Sequence, residues 1–208
     1  MKNDSPKGTS PAVVLSNKFL EAVQFAFEKH SKQTRKGTDT PYIGHLLQVA
    51  SYVIDAGGDE ELAIAALLHD AVEDQGGAPM LTEIRERFGL HVAQIVEGCS
   101  DSMGETKRPW RERKEAYVQH LSLASAEVRL VAAADKLANG RAILSDLKTI
   151  GEKLWVRFNA PKEDQLWYYD SVVFALQAAP SDSRVTKVLG ELIDVVRQIR
   201  DISGGSEV

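Results

Sequence analysis

Apolar residues along this chain recur at helical spacing. In SNKFLEAVQFAFEKHS, residues 16–31, Phe19, Leu20, Val23 and Phe27 fall on one face, and Ser16 stands where an N-cap belongs. A polar loop, KQTRKGTDT, leads to PYIGHLLQVASYVIDA (41–56), read as a helix with Thr40 as cap, Pro41 as first residue and Gly57-Gly58 as stop. Asp59 can cap the next, EELAIAALLHDAVED (60–74), which ends at Gly76-Gly77. Shorter helices are expected over about 80–88 and 91–99, then a polar connection, SDSMGETKRP. Residues 110–121 and 125–147 read as helices, the second strongly apolar. GEKLWVRFNAP is read as a loop or short turn, and KEDQLWYYDSVVFALQAA as a helix broken by Pro180. SRVTKVLGELIDVVRQIRDI closes the chain. No run alternates with period two and no segment repeats. The pattern predicts an all-α fold: a single helical bundle of about eight to ten helices spanning 13–202, between mobile tails at 1–12 and 203–208.

Composition bounds the partners. A hydrophobic content of 43% and a charged content of 26% suit a globular protein. A net charge of −5 argues against a nucleic-acid polymer or a membrane surface as partner, while leaving room for a small anionic ligand at a locally positive site. Cys99 is the only cysteine, so no intramolecular disulfide can form, and it is expected to pack as a small core residue. With no long apolar run and no signal peptide, the cytoplasm is the expected location.

One stretch contradicts the local rules. AALLHDAVEDQGG (65–77) places His69, Asp70, Glu73 and Asp74 at the end of the most apolar helix. Like charges three or four apart cost a helix about 0.2–0.5 kcal/mol each. Anions in a last turn oppose the helix dipole by about 0.3–1 kcal/mol each. A bound cation would reverse every one of these signs; a solvated acidic helix end is the plainer alternative. His45 lies on the preceding helix, and Asp135 follows the apolar run Val131–Ala134, which turns its carboxylate inward. Two imidazoles and two carboxylates on three helices can thus converge on one divalent ion, and such a nitrogen–oxygen set suits Mn, Fe, Co or Zn.

These residues resemble the HD superfamily of metal-dependent phosphohydrolases. RKGTDTPYIGH, AALLHDAVED, IRERFGLHVAQIVEG and ADKLANGR resemble, in order, the hydrolase domain of RelA/SpoT-type alarmone enzymes and the stand-alone small alarmone hydrolases, over about residues 20–150. The resemblance implies an HD-domain bundle with His45, His69, Asp70 and Asp135 as metal ligands, Glu73 and Asp74 positioning and activating water, and Arg35, Lys36 and Asn139 at the nucleotide. It implies Mn²⁺, or another divalent transition metal, and removal of the 3′-pyrophosphate of (p)ppGpp-type nucleotides, guanine or adenine, leaving a 5′-nucleotide. Ala142 departs from the family's frequent Thr, and beyond residue 150 RFNAPKEDQLWYYDSVVFAL resembles stand-alone HD proteins instead. The alternatives are another HD nucleotide phosphohydrolase, a non-catalytic alarmone or metal sensor, and an HD-type di-iron oxygenase, for which further His or Asp ligands are wanting.

Other conspicuous residues take lesser parts. KRPWRERK (107–114) could hold the 5′ phosphates or be an exposed basic helix start. Trp155, Trp167, Tyr168 and Tyr169 are expected in the core or at the face of a homodimer. His30 is expected to pack behind the site, His91 to be exposed and His120 to be partly buried, none of them as ligands.

Overall fold

The computed structural model describes residues 13–102 and 108–204; the expected tail 1–12, Lys107 and residues 205–208 lie outside the described residues. Among the described residues, ten α-helices and one 3₁₀ segment follow one another. They are α1 (Asn17–Lys29), α2 (Ile43–Asp55), α3 (Glu60–Leu68), α4 (Ala71–Gln75), α5 (Gly77–Phe88), α6 (Leu90–Cys99), α7 (Trp110–Leu123), α8 (Ala126–Ile150), the 3₁₀ turn Gly151–Arg157, α9 (Lys162–Ala178) and α10 (Ser183–Gly204). A lone bridge between Thr34 and Pro41 is the β-type pairing present among them. No described helix is long and apolar enough to cross a membrane.

The bundle is built around α3. Every residue from Leu62 to Leu68 is buried, because α1, α2, α6 and α8 surround this helix. The 25-residue α8 is buried continuously from Val128 to Asp135. α10 packs along α8 so closely that a Cβ on Gly140 would stand 3.0 Å from Val195 Cγ1. Ser16, Asp59 and Ser125 cap α1, α3 and α8 by accepting from Lys18, Leu62 and Val128 N–H.

Three boundaries differ from the sequence pattern. The helix expected over 60–74 breaks after Leu68, because His69 Nδ1 bonds the Ala66 carbonyl (2.8 Å), the oxygen that would otherwise receive the Asp70 N–H. Glu73 and Asp74 therefore fall in the first turn of α4, where the dipole favours anions, and that part of the expected penalty changes sign. α2 starts at Ile43 rather than Pro41, since Pro41 pairs with Thr34, Arg35 N–H donates to Thr40 (2.8 Å) and Tyr42 N–H donates to Gln33 (3.0 Å). Residues 151–157, read as a loop or short turn, form a 3₁₀ turn that opens at Gly151, whose φ of 61° ends α8. α10 runs through Ser203, which is buried and whose carbonyl accepts from Lys162 Nζ (2.8 Å), so 203 and 204 do not belong to a tail.

Cys99 packs at the margin of the core with Sγ 3.9 Å from the Val128 carbonyl, and burial pushes its thiol up. His91 is half exposed between Glu61 (2.8 Å) and Glu127 (3.4 Å). His120 is exposed rather than partly buried, its Nε2 3.2 Å from the Gly98 carbonyl.

Asp182 starts α10 by accepting from Arg184 N–H (2.9 Å) and Val185 N–H (3.4 Å); the Arg184 side chain and these bonds bring its carboxyl down to about 2. Asp182→Ala should cost about 1 kcal/mol near neutral pH. The folded value lies below the unfolded one of roughly 3.9, so this contribution is whole above that value and fades as pH falls through the folded one. Urea melts of both proteins should show a gap at neutral pH that narrows near the folded value.

Candidate metal centre and nucleotide cavity

Four side chains from separate elements meet at the centre of the bundle. His45 comes from the first turn of α2, His69 and Asp70 from the break between α3 and α4, and Asp135 from the buried half of α8. One ligand atom from each lies within 4.8 Å of all the others. His45 Nε2 is 3.2 Å from Asp135 Oδ1 and 3.7 Å from Asp70 Oδ2; His69 Nε2 is 3.0 Å from Asp70 Oδ2 and 3.5 Å from Asp135 Oδ1. Since His69 Nδ1 donates to Ala66, Nε2 is the nitrogen turned to the cluster.

The donor set fits a divalent ion. His45 Nδ1 and Nε2 and His69 Nε2 are buried with no hydrogen-bond partner. Unsatisfied buried nitrogens are costly, and a metal ion inside the cluster satisfies those that face it. Burial opposes charge on each member. Even so, Asp70 and Asp135 lift His69 well above its usual value. His69 and His45 hold Asp70 well below the carboxylate range, and Lys136 with the same imidazoles does so for Asp135. The centre calls for positive charge between its carboxylates.

A second circle orients these groups. Tyr42 Oη donates to Asp70 Oδ2 (2.5 Å), Lys136 Nζ to Asp135 Oδ2 (2.6 Å) and Asn139 Nδ2 to Asp135 Oδ1 (2.6 Å). Arg35 donates in turn to Asn139 Oδ1 (2.9 Å). Burial, then Asp70, push the Tyr42 hydroxyl up, so it stays a donor. Sequence reading missed Tyr42 and Lys136. Their signal was position: Tyr42 lies one helical turn before His45, and Lys136 adjoins Asp135.

Glu73 and Asp74 follow one turn after Asp70. Glu73 is half buried, with the Arg113 guanidinium 3.8 Å away; Asp74 accepts from Gln33 Nε2 (2.8 Å). Asp101, almost wholly buried, holds Arg113 (2.5 Å) and Lys114 (2.6 Å) in place.

A cavity of ≈ 500 Å³ adjoins the centre, and Tyr42, Lys136 and Asn139 belong to its wall. Arg35 and Lys36 line it, Lys36 donating to Asn159 Oδ1 (2.8 Å). Ala142 faces it as well, and the aromatics Tyr168 and Tyr169 line it while belonging to the core. Of the basic stretch, Trp110 and Lys114 reach the cavity, whereas Arg111 lies over the Trp167 ring at 3.3 Å. Arg157, unremarked in the sequence because its segment read as a loop, lines the cavity and pairs with Asp146 (2.7 Å).

An all-α bundle with a buried centre of two histidines and two aspartates defines a class of metal-dependent proteins, and the comparisons place this chain within it. Residues 22–162 match the HD domain family, and the chain belongs to that family. The guanosine-3′,5′-bis(diphosphate) 3′-pyrophosphohydrolase MESH1 of Xenopus tropicalis is 42% identical over 139 residues, 65% of this chain and 73% of that protein. The enzyme of the same description from Aquifex aeolicus is 46% identical over 121 residues, 57% of this chain and 16% of the relative. The solved structure of a metazoan ortholog of SpoT that hydrolyses ppGpp superposes with a TM-score of 0.69 and 28% identity, covering 92% of this chain and 98% of that one.

Chelator-stripped protein is expected to melt several degrees higher once a divalent transition ion is restored, since a ligand at a hundredfold excess over its dissociation constant stabilises by about 2.7 kcal/mol. Asp135→Ala should lose the shift. Scanning calorimetry with and without Mn²⁺ measures it.

Proposed function

We propose that this chain is a metal-dependent hydrolase of nucleoside 3′-diphosphates of the (p)ppGpp type, with the nucleotide in the cavity and its 3′-pyrophosphate directed at the His45, His69, Asp70 and Asp135 centre. The observation that carries the reading is the convergence of these four donors within 4.8 Å beside a cavity rimmed by Arg35 and Lys36. The likeness to MESH1 supports it. Mn²⁺ is the ion favoured here, and a cytoplasmic enzyme belongs to the same reading.

A divalent ion held by these residues supplies charge neutralisation at phosphoryl oxygens and a more acidic water. The chain supplies the rest. Glu73 accepts the proton of the attacking water, and Asp74 orients that water. Arg35 forks onto phosphate or stacks on the base, Lys36 acts as a point charge, and Asn139 ties Arg35 to Asp135. Release of pyrophosphate requires attack at the phosphorus bonded to O3′. The O3′–P bond breaks, the water oxygen joins the departing pyrophosphate, and O3′ gains a proton. The presence of both Glu73 and Asp74 favours turnover over a sensor, which would need neither.

In a screen of ppGpp, pppGpp, ppApp, NADPH and simple nucleoside phosphates with Mn²⁺, pyrophosphate should appear from the 3′-diphosphates. Glu73→Ala should keep its metal and lose turnover by about 10²–10⁴-fold, the usual worth of a general base. A Glu73→Ala protein as active as the wild type would remove Glu73 from this role.

A further inference from the structure

Behind Asp74 stands a chain of polar contacts that the reaction scheme does not use. Gln33 Nε2 donates to Asp74 Oδ2 (2.8 Å). The other end of the same amide, Oε1, lies 2.7 Å from His30 Nδ1 and accepts from Gln75 Nε2 (2.6 Å). These contacts determine which way the amide points: its oxygen faces two donors and its NH₂ faces a carboxylate. The reversed amide would set its oxygen against Asp74 and its NH₂ against Gln75.

The same geometry sets the imidazole. A Gln33 oxygen 2.7 Å from Nδ1 requires that nitrogen to carry the proton, so His30 is the Nδ1–H tautomer. Its Nε2 is buried with no partner, which leaves it a lone pair. The ring is 3% exposed and stacks on Tyr42 at 5.4 Å and 23°, so it cannot swing away. Gln33 is pinned along its backbone as well. Its N–H donates to the His30 carbonyl (2.9 Å), and its carbonyl accepts from Tyr42 N–H (3.0 Å).

Asp74 is exposed on a helix of five residues, and the Gln33 amide narrows the rotamers open to its carboxylate. We propose that Gln33, backed by His30 and Gln75, is a positioning residue that fixes the Asp74 carboxylate in the orientation used to align the attacking water. The proposal rests on the assignment of Asp74 to that water. It ties the loop that carries Arg35 and Lys36 to the water-activating pair, so that one short segment serves both substrate binding and chemistry.

Two variants test it. Gln33→Leu keeps the volume and removes both ends of the amide; Gln33→Glu keeps an acceptor for His30 and turns a carboxylate on Asp74. Each should lower kcat on the nucleotide that the wild type hydrolyses by about tenfold to a hundredfold, as loss of orientation does. KM and Mn²⁺ affinity should stay within about twofold. Gln75→Leu, which removes only a backing donor, should lose less. A Gln33→Leu kcat equal to that of the wild type, or a loss carried wholly by KM, would overturn the proposal. Long-range ¹H–¹⁵N spectra give a readout independent of turnover: His30 should be the Nδ1–H tautomer in the wild type, and an Nε2–H tautomer would overturn the relay. If the wild type hydrolyses none of the nucleotides, the proposed function fails and the catalytic purpose of the relay with it. The tautomer would still show whether the relay exists.

Discussion

The fold is organised by the burial of two carboxylates and two imidazoles at one point. Asp135 and the two histidines are almost inaccessible, and they stand where α2, α3 and α8 meet. An isolated carboxylate taken out of water is costly unless it is paired. Here Asp70 receives the Tyr42 hydroxyl and Asp135 receives Lys136 and Asn139, while Asp70 Oδ2 and Asp135 Oδ1 also face the imidazoles. The imidazole nitrogens that face these oxygens have no hydrogen-bond partner, and a cation is the group whose charge and coordination preferences suit the set.

The surrounding helices make that arrangement rigid. α3 has no polar face, so its only way to be stable is to be enclosed, and enclosure fixes His69 at its end. The break that follows is part of the device. By giving its Nδ1 to Ala66, His69 interrupts the ladder and turns its Nε2 inward. The chain restarts as α4, with Glu73 and Asp74 in a favourable first turn. Asp135 is held in place because α8 is packed against α2, α3 and α6 and against α10, where Gly140 lets the helices approach.

Much of this was legible in the sequence, for physical reasons that differ by element. The helices and the caps Ser16 and Asp59 follow from spacing and local hydrogen bonding, which act within a few residues. The four donors were legible because a polar residue inside an apolar run needs an explanation. The break at His69 was hidden because the apolar period continues through it, and only a side-chain-to-backbone bond reveals it. Pro41 misled for a similar reason: a residue suited to open a helix is held out of α2 by a bridge to Thr34. Tyr42 and Lys136 went unread although they neighbour His45 and Asp135, because spacing alone does not tell a polar side chain turned to an interior site from one turned to water, and Arg157 lay in a segment read as a loop. Their roles depend on contacts between distant segments, such as Arg157 with Asp146 and the loop at Gly37.

The charges around the cavity reconcile an acidic protein with an anionic ligand. Lys114 is neutralised by Asp101, Lys136 by Asp135 and Arg157 by Asp146. Arg35 and Lys36 instead donate to the amide oxygens of Asn139 and Asn159, which carry no charge. Exchanging a neutral amide for a phosphate oxygen replaces an ordinary hydrogen bond by a charge-assisted one, roughly twice as strong. Breaking a lysine–aspartate pair for the same purpose would first expose a carboxylate to the incoming anion. Positive charge is thus available at the two positions next to the centre, whatever the net charge of the chain. Because Asn139 holds Arg35 with one end of its amide and Asp135 with the other, a phosphate that recruits Arg35 acts on the same side chain that steadies the centre. In the proposed function, binding of the nucleotide and order at the His/Asp cluster are therefore coupled through a single residue on α8.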